Sequence, residues 1–144
     1  MTLNRETITR IIKAVIGIFA ITVGGLIYIM YRNDSLLMFD WFRGLGISNF
    51  INSIRVDSDK QNLYGWLKNS MPAGLWLFSY LLIIDSIWGK KKIAVYWCFL
   101  YILPVIAILS ELMQYFKLLP GTFDIIDLLS YGFAIVLFIL IKEL

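Results

Sequence analysis

Two pairs of polar residues in the last third of the chain have types and spacing that could do chemistry. Glu111 and Gln114 stand three residues apart, and Asp124 and Asp127 stand three apart again. Residues at that spacing share one face of a helix. Between the pairs lies the short turn Pro120-Gly121-Thr122, so the helices on either side must be antiparallel neighbours and their polar faces converge. Three carboxylates in a partly apolar setting resist full ionisation, so either one is protonated or a cation sits among them. Such a group can hold a cationic centre or a sugar hydroxyl, reach a phosphate through a bridging metal, or serve as general acid and base. Plainer roles compete. Asp124 falls in the first turn of its helix, where a carboxylate complements the positive helix end and Thr122 or Gly121 would cap. Asp127 is a turn deeper and Glu111 has no helix end to serve; Glu111 could instead pair with Lys117 or bond to Tyr or Ser across the bundle. Trp76 and Tyr80, one helical turn apart, are candidate walls, which makes the ligand-binding set Glu111, Gln114, Asp124, Asp127, Trp76 and Tyr80.

Other chemistries are closed. The chain contains no histidine and a single cysteine, Cys98, which removes zinc sites, Ser-His-Asp triads and internal disulfides. No catalytic residue, metal or cofactor is assigned. The formal charge of +3 comes without a basic cluster interleaved with polar surface, so nucleic acid is not an expected partner.

The elements that must position these residues are membrane spans. Hydrophobic residues make up 60% of the 144, and the mean hydropathy is +0.78. A soluble domain this small could not bury so much apolar surface. Four stretches approach the length a bilayer crossing needs: residues 14–31, 71–88, 93–115 and 123–141. The expected fold is therefore all-α, a single four-helix membrane domain. The first span, with Gly17, Gly24 and Gly25, reads as an uncleaved signal anchor. Pro72 suits the first turn of the second span, with Asn69 or Ser70 as cap. Pro104 should kink the third. Arg5, Arg10, Lys13, Lys90, Lys91, Lys92 and Lys142 fall on one side against Arg32, Arg43, Arg55, Lys60 and Lys68 on the other. The density of charge in the lysine turn, not the total, points to both termini in the cytoplasm. Asp85, near that side, is expected to reach toward Lys90–Lys92. Aromatic residues at the span ends, among them Tyr28, Tyr64, Trp66, Trp88 and Tyr115, read as interface anchors.

Between spans one and two, residues 36–54 are rich in Leu, Phe, Trp and Ile, with Ile47, Phe50, Ile51 and Ile54 at helical spacing. A short amphipathic helix follows, lying on the outer membrane surface or packed over the bundle mouth. Residues 56–61 are the wettest stretch and read as a mobile loop.

The run Ser110-Glu111-Leu112-Met113-Gln114, then Pro120-Gly121-Thr122-Phe123-Asp124-Ile125-Ile126-Asp127, resembles the VanZ-like family of small bacterial membrane proteins, over about residues 109–132. Met71-Pro72-Ala73-Gly74-Leu75-Trp76 also looks like the opening of the second span in some small relatives. The resemblance implies a multi-pass protein of the bacterial plasma membrane with Glu111, Gln114, Asp124 and Asp127 as its characteristic polar positions; the best-known member is linked to glycopeptide-antibiotic resistance. Two departures stand out: Pro120-Gly121-Thr122 occupies a turn that often carries arginine, and Tyr131 a position that often carries asparagine. The expected function is an outer-facing acidic site, roofed by residues 36–54, for a lipid head group, a cell-wall precursor or a cationic amphiphile. The alternatives are an accessory subunit of a membrane assembly and, behind it, an enzyme acting on a lipid-linked substrate. Expected partners are the bilayer and other membrane proteins or a second copy of the chain.

Overall fold

Six helices follow one another in the computed structural model, which describes residues 4–55 and 64–142: α1 (Arg5–Tyr31), α2 (Leu37–Gly44), α3 (Ser48–Ile54), α4 (Gly65–Trp88), α5 (Ala94–Tyr115) and α6 (Ile125–Lys142). Among the described residues there is no strand. Helices α1, α4, α5 and α6 are each long and apolar enough to cross a bilayer. The chain is a multi-pass membrane protein built as a helix bundle.

Helix α4 is the most buried of the four and α6 the least. α4 packs against α1 and α6 and touches α5. Its Leu77, Phe78, Leu81 and Leu82 form the core with Ala20 of α1, Tyr96 and Leu100 of α5, and Ala134 and Phe138 of α6. The outward faces stay apolar: Phe99, Ile102 and Ile106 of α5, and Leu129, Phe133 and Leu140 of α6, are exposed, as residues facing hydrocarbon should be. Apolar attraction between helices is weak in lipid, so close backbone approach matters more. Gly17 and Gly24 provide it on α1. A Cβ at Gly17 would lie 2.9 Å from Ile83 Cγ1 and 3.2 Å from the Ser79 carbonyl, and one at Gly24 would lie 2.9 Å from the Trp76 ring. Gly25, one residue on, faces open space.

Several boundaries differ from the expected ones. Helix α1 begins at Arg5, capped by Asn4 Oδ1, which accepts from the Glu6 N–H. Its 27 residues span about 40 Å, so Lys13 is not a flank of the span but a buried residue within the helix. Helix α4 begins at Gly65, with no side-chain cap. Asn69 and Ser70 therefore do not cap it, and Pro72 sits in the second turn, fully buried. Helix α5 carries Pro104 in its interior, as the sequence places it. The amphipathic segment forms two short helices, α2 and α3, because Gly44 and Gly46 are poor helix formers. Phe39 and Ile51 turn inward while Trp41 and Phe50 are exposed. The mobile loop expected at residues 56–61 lies outside the described residues.

At the end carrying both termini, a polar lock joins all four long helices. Lys13 Nζ stands 2.9 Å from Asp85 Oδ2 and donates to the Lys142 carbonyl, also at 2.9 Å. The Tyr96 hydroxyl donates to Asp85 Oδ1 at 2.7 Å, and Lys92 Nζ stands 4.0 Å from the same oxygen. Asp85 thus finds its main partner on α1, not in the lysine turn. Lys13 is 6% and Asp85 3% exposed. Removing one member of a buried pair strands the other charge, at a cost of about 3–5 kcal/mol, whereas replacing both with apolar residues is often neutral. Lys13→Met alone should therefore lower the melting temperature of the detergent-purified protein sharply, and Lys13→Met with Asp85→Leu should recover most of the loss. Thermal unfolding by circular dichroism measures both. By the same method Gly24→Ala should destabilise, since its methyl group collides with Trp76, while Gly25→Ala should gain up to about 1 kcal/mol from helix propensity.

Candidate functional site

The α5–α6 turn is built to bring its polar residues together. After α5 ends, Lys117 takes a positive φ of 57° and Gly121 one of 136°. A side chain at Gly121 would be strained and would also collide with Gln114, whose Cδ lies 2.8 Å from the position of a Cβ. The turn can therefore fold down onto Gln114 only with glycine there. Beyond it, Asp124 Oδ1 accepts from the Ile126 N–H at 2.9 Å and the Asp124 carbonyl accepts from the Asp127 N–H at 3.1 Å. Asp124 is itself the cap of α6; Thr122 and Gly121 are not. Glu111, 5% exposed, accepts from the Asp124 N–H through Oε2 at 3.3 Å. That contact ties α5 to the start of α6, and among the described residues neither Lys117 nor a hydroxyl partners Glu111.

Glu111, Gln114, Asp124 and Asp127 all line one cavity of about 390 Å³ at the end of the bundle opposite both termini. Gly121 and Thr122 of the turn, Asn69, Ala73 and Trp76 of α4, and Tyr131 of α6 complete the wall together with Tyr28 and Arg32 of α1. Asp127 Oδ1 is buried and, among the described residues, accepts no hydrogen bond. Trp76 lines the cavity as expected, with its ring 5.3 Å from that of Tyr28. Tyr80 does not: it turns toward α5, and its hydroxyl donates to the Phe99 carbonyl. Residues 36–54 do not roof the cavity either, since none of them lines it.

Arg32 is the site residue the sequence did not single out. It follows the last turn of α1 as its C-cap and resembles an ordinary flanking charge. Close packing of α1 on α4 carries it to Asn69, whose Oδ1 accepts from Arg32 Nη1 at 2.9 Å. Its guanidinium carbon stands 5.3 Å from the centre of the Tyr28 ring. Arg32 Nε is buried and, among the described residues, has no hydrogen-bond partner. Arg55, which follows α3, holds this corner in place: its guanidinium donates to the carbonyls of Arg32 at 2.9 Å and Ile29 at 3.3 Å, and lies 4.5 Å from the Phe39 ring centre. The segment between α1 and α4 therefore acts on the cavity indirectly, through the backbone that carries Arg32. The signal available in the sequence was Gly24, one helical turn before Tyr28, which marks where α1 meets another helix closely.

The cavity thus sets three carboxylates against one arginine. Among the described residues no three His, Cys, Asp or Glu side chains are grouped to hold a metal ion. Comparison with protein families, with curated proteins and with solved structures finds no match for the chain. The site's chemistry must therefore be argued from its own atoms. Glu111→Gln keeps an oxygen for the Asp124 N–H, while Glu111→Leu leaves that N–H without its acceptor, at about 1–3 kcal/mol. Melting curves should rank wild type and Glu111→Gln together, with Glu111→Leu clearly below them.

Proposed function

We propose that this is a VanZ-like protein of the bacterial plasma membrane, with both termini cytoplasmic, and that its outer-facing cavity binds the polar head of a membrane-embedded ligand. The observation that carries this reading is a pair of cavity-lining residues, each with a buried side-chain atom that has no hydrogen-bond partner among the described residues. Asp127 Oδ1 has an acceptor position to fill and Arg32 Nε has a donor to satisfy. Leaving such groups unpaired away from water costs about 1–3 kcal/mol each. A head group that brings an ammonium or hydroxyl to the carboxylates and a phosphate, carboxylate or carbonyl to Arg32 pairs both. Lipids with amino-bearing head groups, cell-wall precursors with amino acid and sugar parts, and cationic amphiphiles all have the first of these features. A bare anion has only the second, and the surplus of carboxylates selects against it. The α5–α6 turn lacks the arginine that VanZ-like proteins often carry there, and Arg32, from the end of α1, supplies the cavity's positive charge from a different position. The orientation is supported by Arg10, Lys13, Lys90, Lys91, Lys92 and Lys142, all at the end opposite the cavity.

Phosphatidylethanolamine, with one ammonium and one phosphate, is a suitable probe, and phosphatidylcholine, whose methylated nitrogen cannot donate, is its control. Native mass spectrometry of the detergent-purified protein should show phosphatidylethanolamine retained over phosphatidylcholine. The double substitution Glu111→Gln with Asp127→Asn should abolish that preference while the protein stays monodisperse and melts as before. Equal retention of the two lipids, or an undiminished preference in the double variant, would refute the reading. Co-purification of a stoichiometric protein partner whose contact depends on the same carboxylates would favour the accessory-subunit alternative.

A further inference from the structure

A second polar cavity, of about 420 Å³, opens at the end carrying both termini. It shares no residue with the first. Among the described residues its lining carries Arg5, Arg10, Lys13, Lys90, Lys92 and Lys142 against only Glu6 and Asp85, an excess of four positive charges. We propose that this cavity binds a phosphate-bearing anion, the chemistry shared by an anionic lipid head group and a free phosphate. The inference is independent of what occupies the acidic cavity.

Among the described residues, the groups that would repel an anion here are already engaged. Asp85 is matched by Lys13 at 2.9 Å and by the Tyr96 hydroxyl at 2.7 Å. Glu6 stands 3.7 Å from Lys90. The last carbonyls of α4 carry the negative end of the helix dipole, but Arg10 covers them: Nε donates to the Ser86 carbonyl and Nη2 to the Ile87 carbonyl, both at 2.7 Å. Gly89 makes that arrangement possible. It turns the chain with a φ of 55°, and a Cβ there would lie 3.0 Å from Arg10 Cδ and 3.2 Å from Glu6 Oε1. With the acids and carbonyls neutralised locally, the remaining cations project a field that like-charge repulsion disfavours and an anion relieves. Lys91, in the same turn, is not part of the lining. The charge around this cavity is therefore arranged by the fold and is not simply the total charge of the loop. Basic pockets between spanning helices at a cytoplasmic surface are suited to anionic head groups.

The test uses the full chain in detergent with phosphatidylglycerol, phosphatidylcholine and inorganic pyrophosphate as probes. Native mass spectrometry reads lipid retention, and titration calorimetry reads pyrophosphate binding. Phosphatidylglycerol should be retained over phosphatidylcholine, and the preference should fall with added salt. Lys90→Gln and Arg5→Gln should each weaken anion binding about five-fold, as loss of one surface cation predicts, while Lys91→Gln leaves it unchanged. Arg5, in the first turn of α1, can be replaced without disturbing the Lys13–Asp85 pair, so a folding defect in one variant does not remove the test. Binding of phosphatidylglycerol alone identifies a lipid source, and binding of pyrophosphate in lipid-free detergent identifies a soluble one; either supports the proposal. Failure of both probes, or equal weakening by Lys91→Gln and Lys90→Gln, overturns it.

Discussion

The approach of α1 to α4 across Gly17, Ala20 and Gly24 is the contact on which both ends of the molecule depend. In hydrocarbon, two apolar helices gain little by merely excluding lipid, so small residues that let backbones close in decide which faces meet. With that seam fixed, helix geometry places the rest. About one turn before Gly17, Lys13 meets Asp85. Beyond Gly24, Tyr28 meets Trp76 and Arg32 meets Asn69. One packing register therefore determines a buried ion pair at one end and an arginine in an acidic cavity at the other.

The two ends show opposite solutions to the cost of polar groups in a membrane protein. At the end carrying the termini, Asp85 and Lys13 satisfy one another and recruit Tyr96 and the Lys142 carbonyl. The residues are deeply buried and closely partnered, as expected of a structural network. At the other end, pairing is incomplete. Asp124 is used up as a helix cap and Glu111 in tying α5 to α6, but Asp127 Oδ1 and Arg32 Nε are buried with no hydrogen bond among the described residues. Within one small bundle the comparison separates a carboxylate partnered through both oxygens, Asp85, from one with an unpartnered oxygen, Asp127.

Asp124 and Asp127 also show how little spacing distinguishes such roles. They lie on the same face, three residues apart, in the same short stretch. One sits where α6 starts and closes the first turn through its own side chain and carbonyl. The other, expected a turn deeper, is the third residue of α6 and still in its first turn. Its charge also complements the helix end there, yet its Oδ1 accepts no hydrogen bond among the described residues. The difference comes from where the helix begins: Asp124 is its cap and Asp127 its third residue, after a turn that Gly121 lets fold onto Gln114.

Much was determined by the sequence alone. Long apolar runs require a bilayer, so four spanning helices follow from composition and length. A short turn forces α5 and α6 to be neighbours, so Glu111, Gln114, Asp124 and Asp127 had to meet. These inferences hold because they rest on local periodicity and on the limited reach of a short chain. The tertiary structure decided what depends on helices distant in sequence. It brought Arg32 into the cavity, turned Tyr80 away from it, left residues 36–54 out of its lining, and gave Asp85 a nearer partner in Lys13 than the expected Lys92. Each of these is set by the rotation and register of one helix against another, and those are fixed by interlocking side chains that no linear pattern displays.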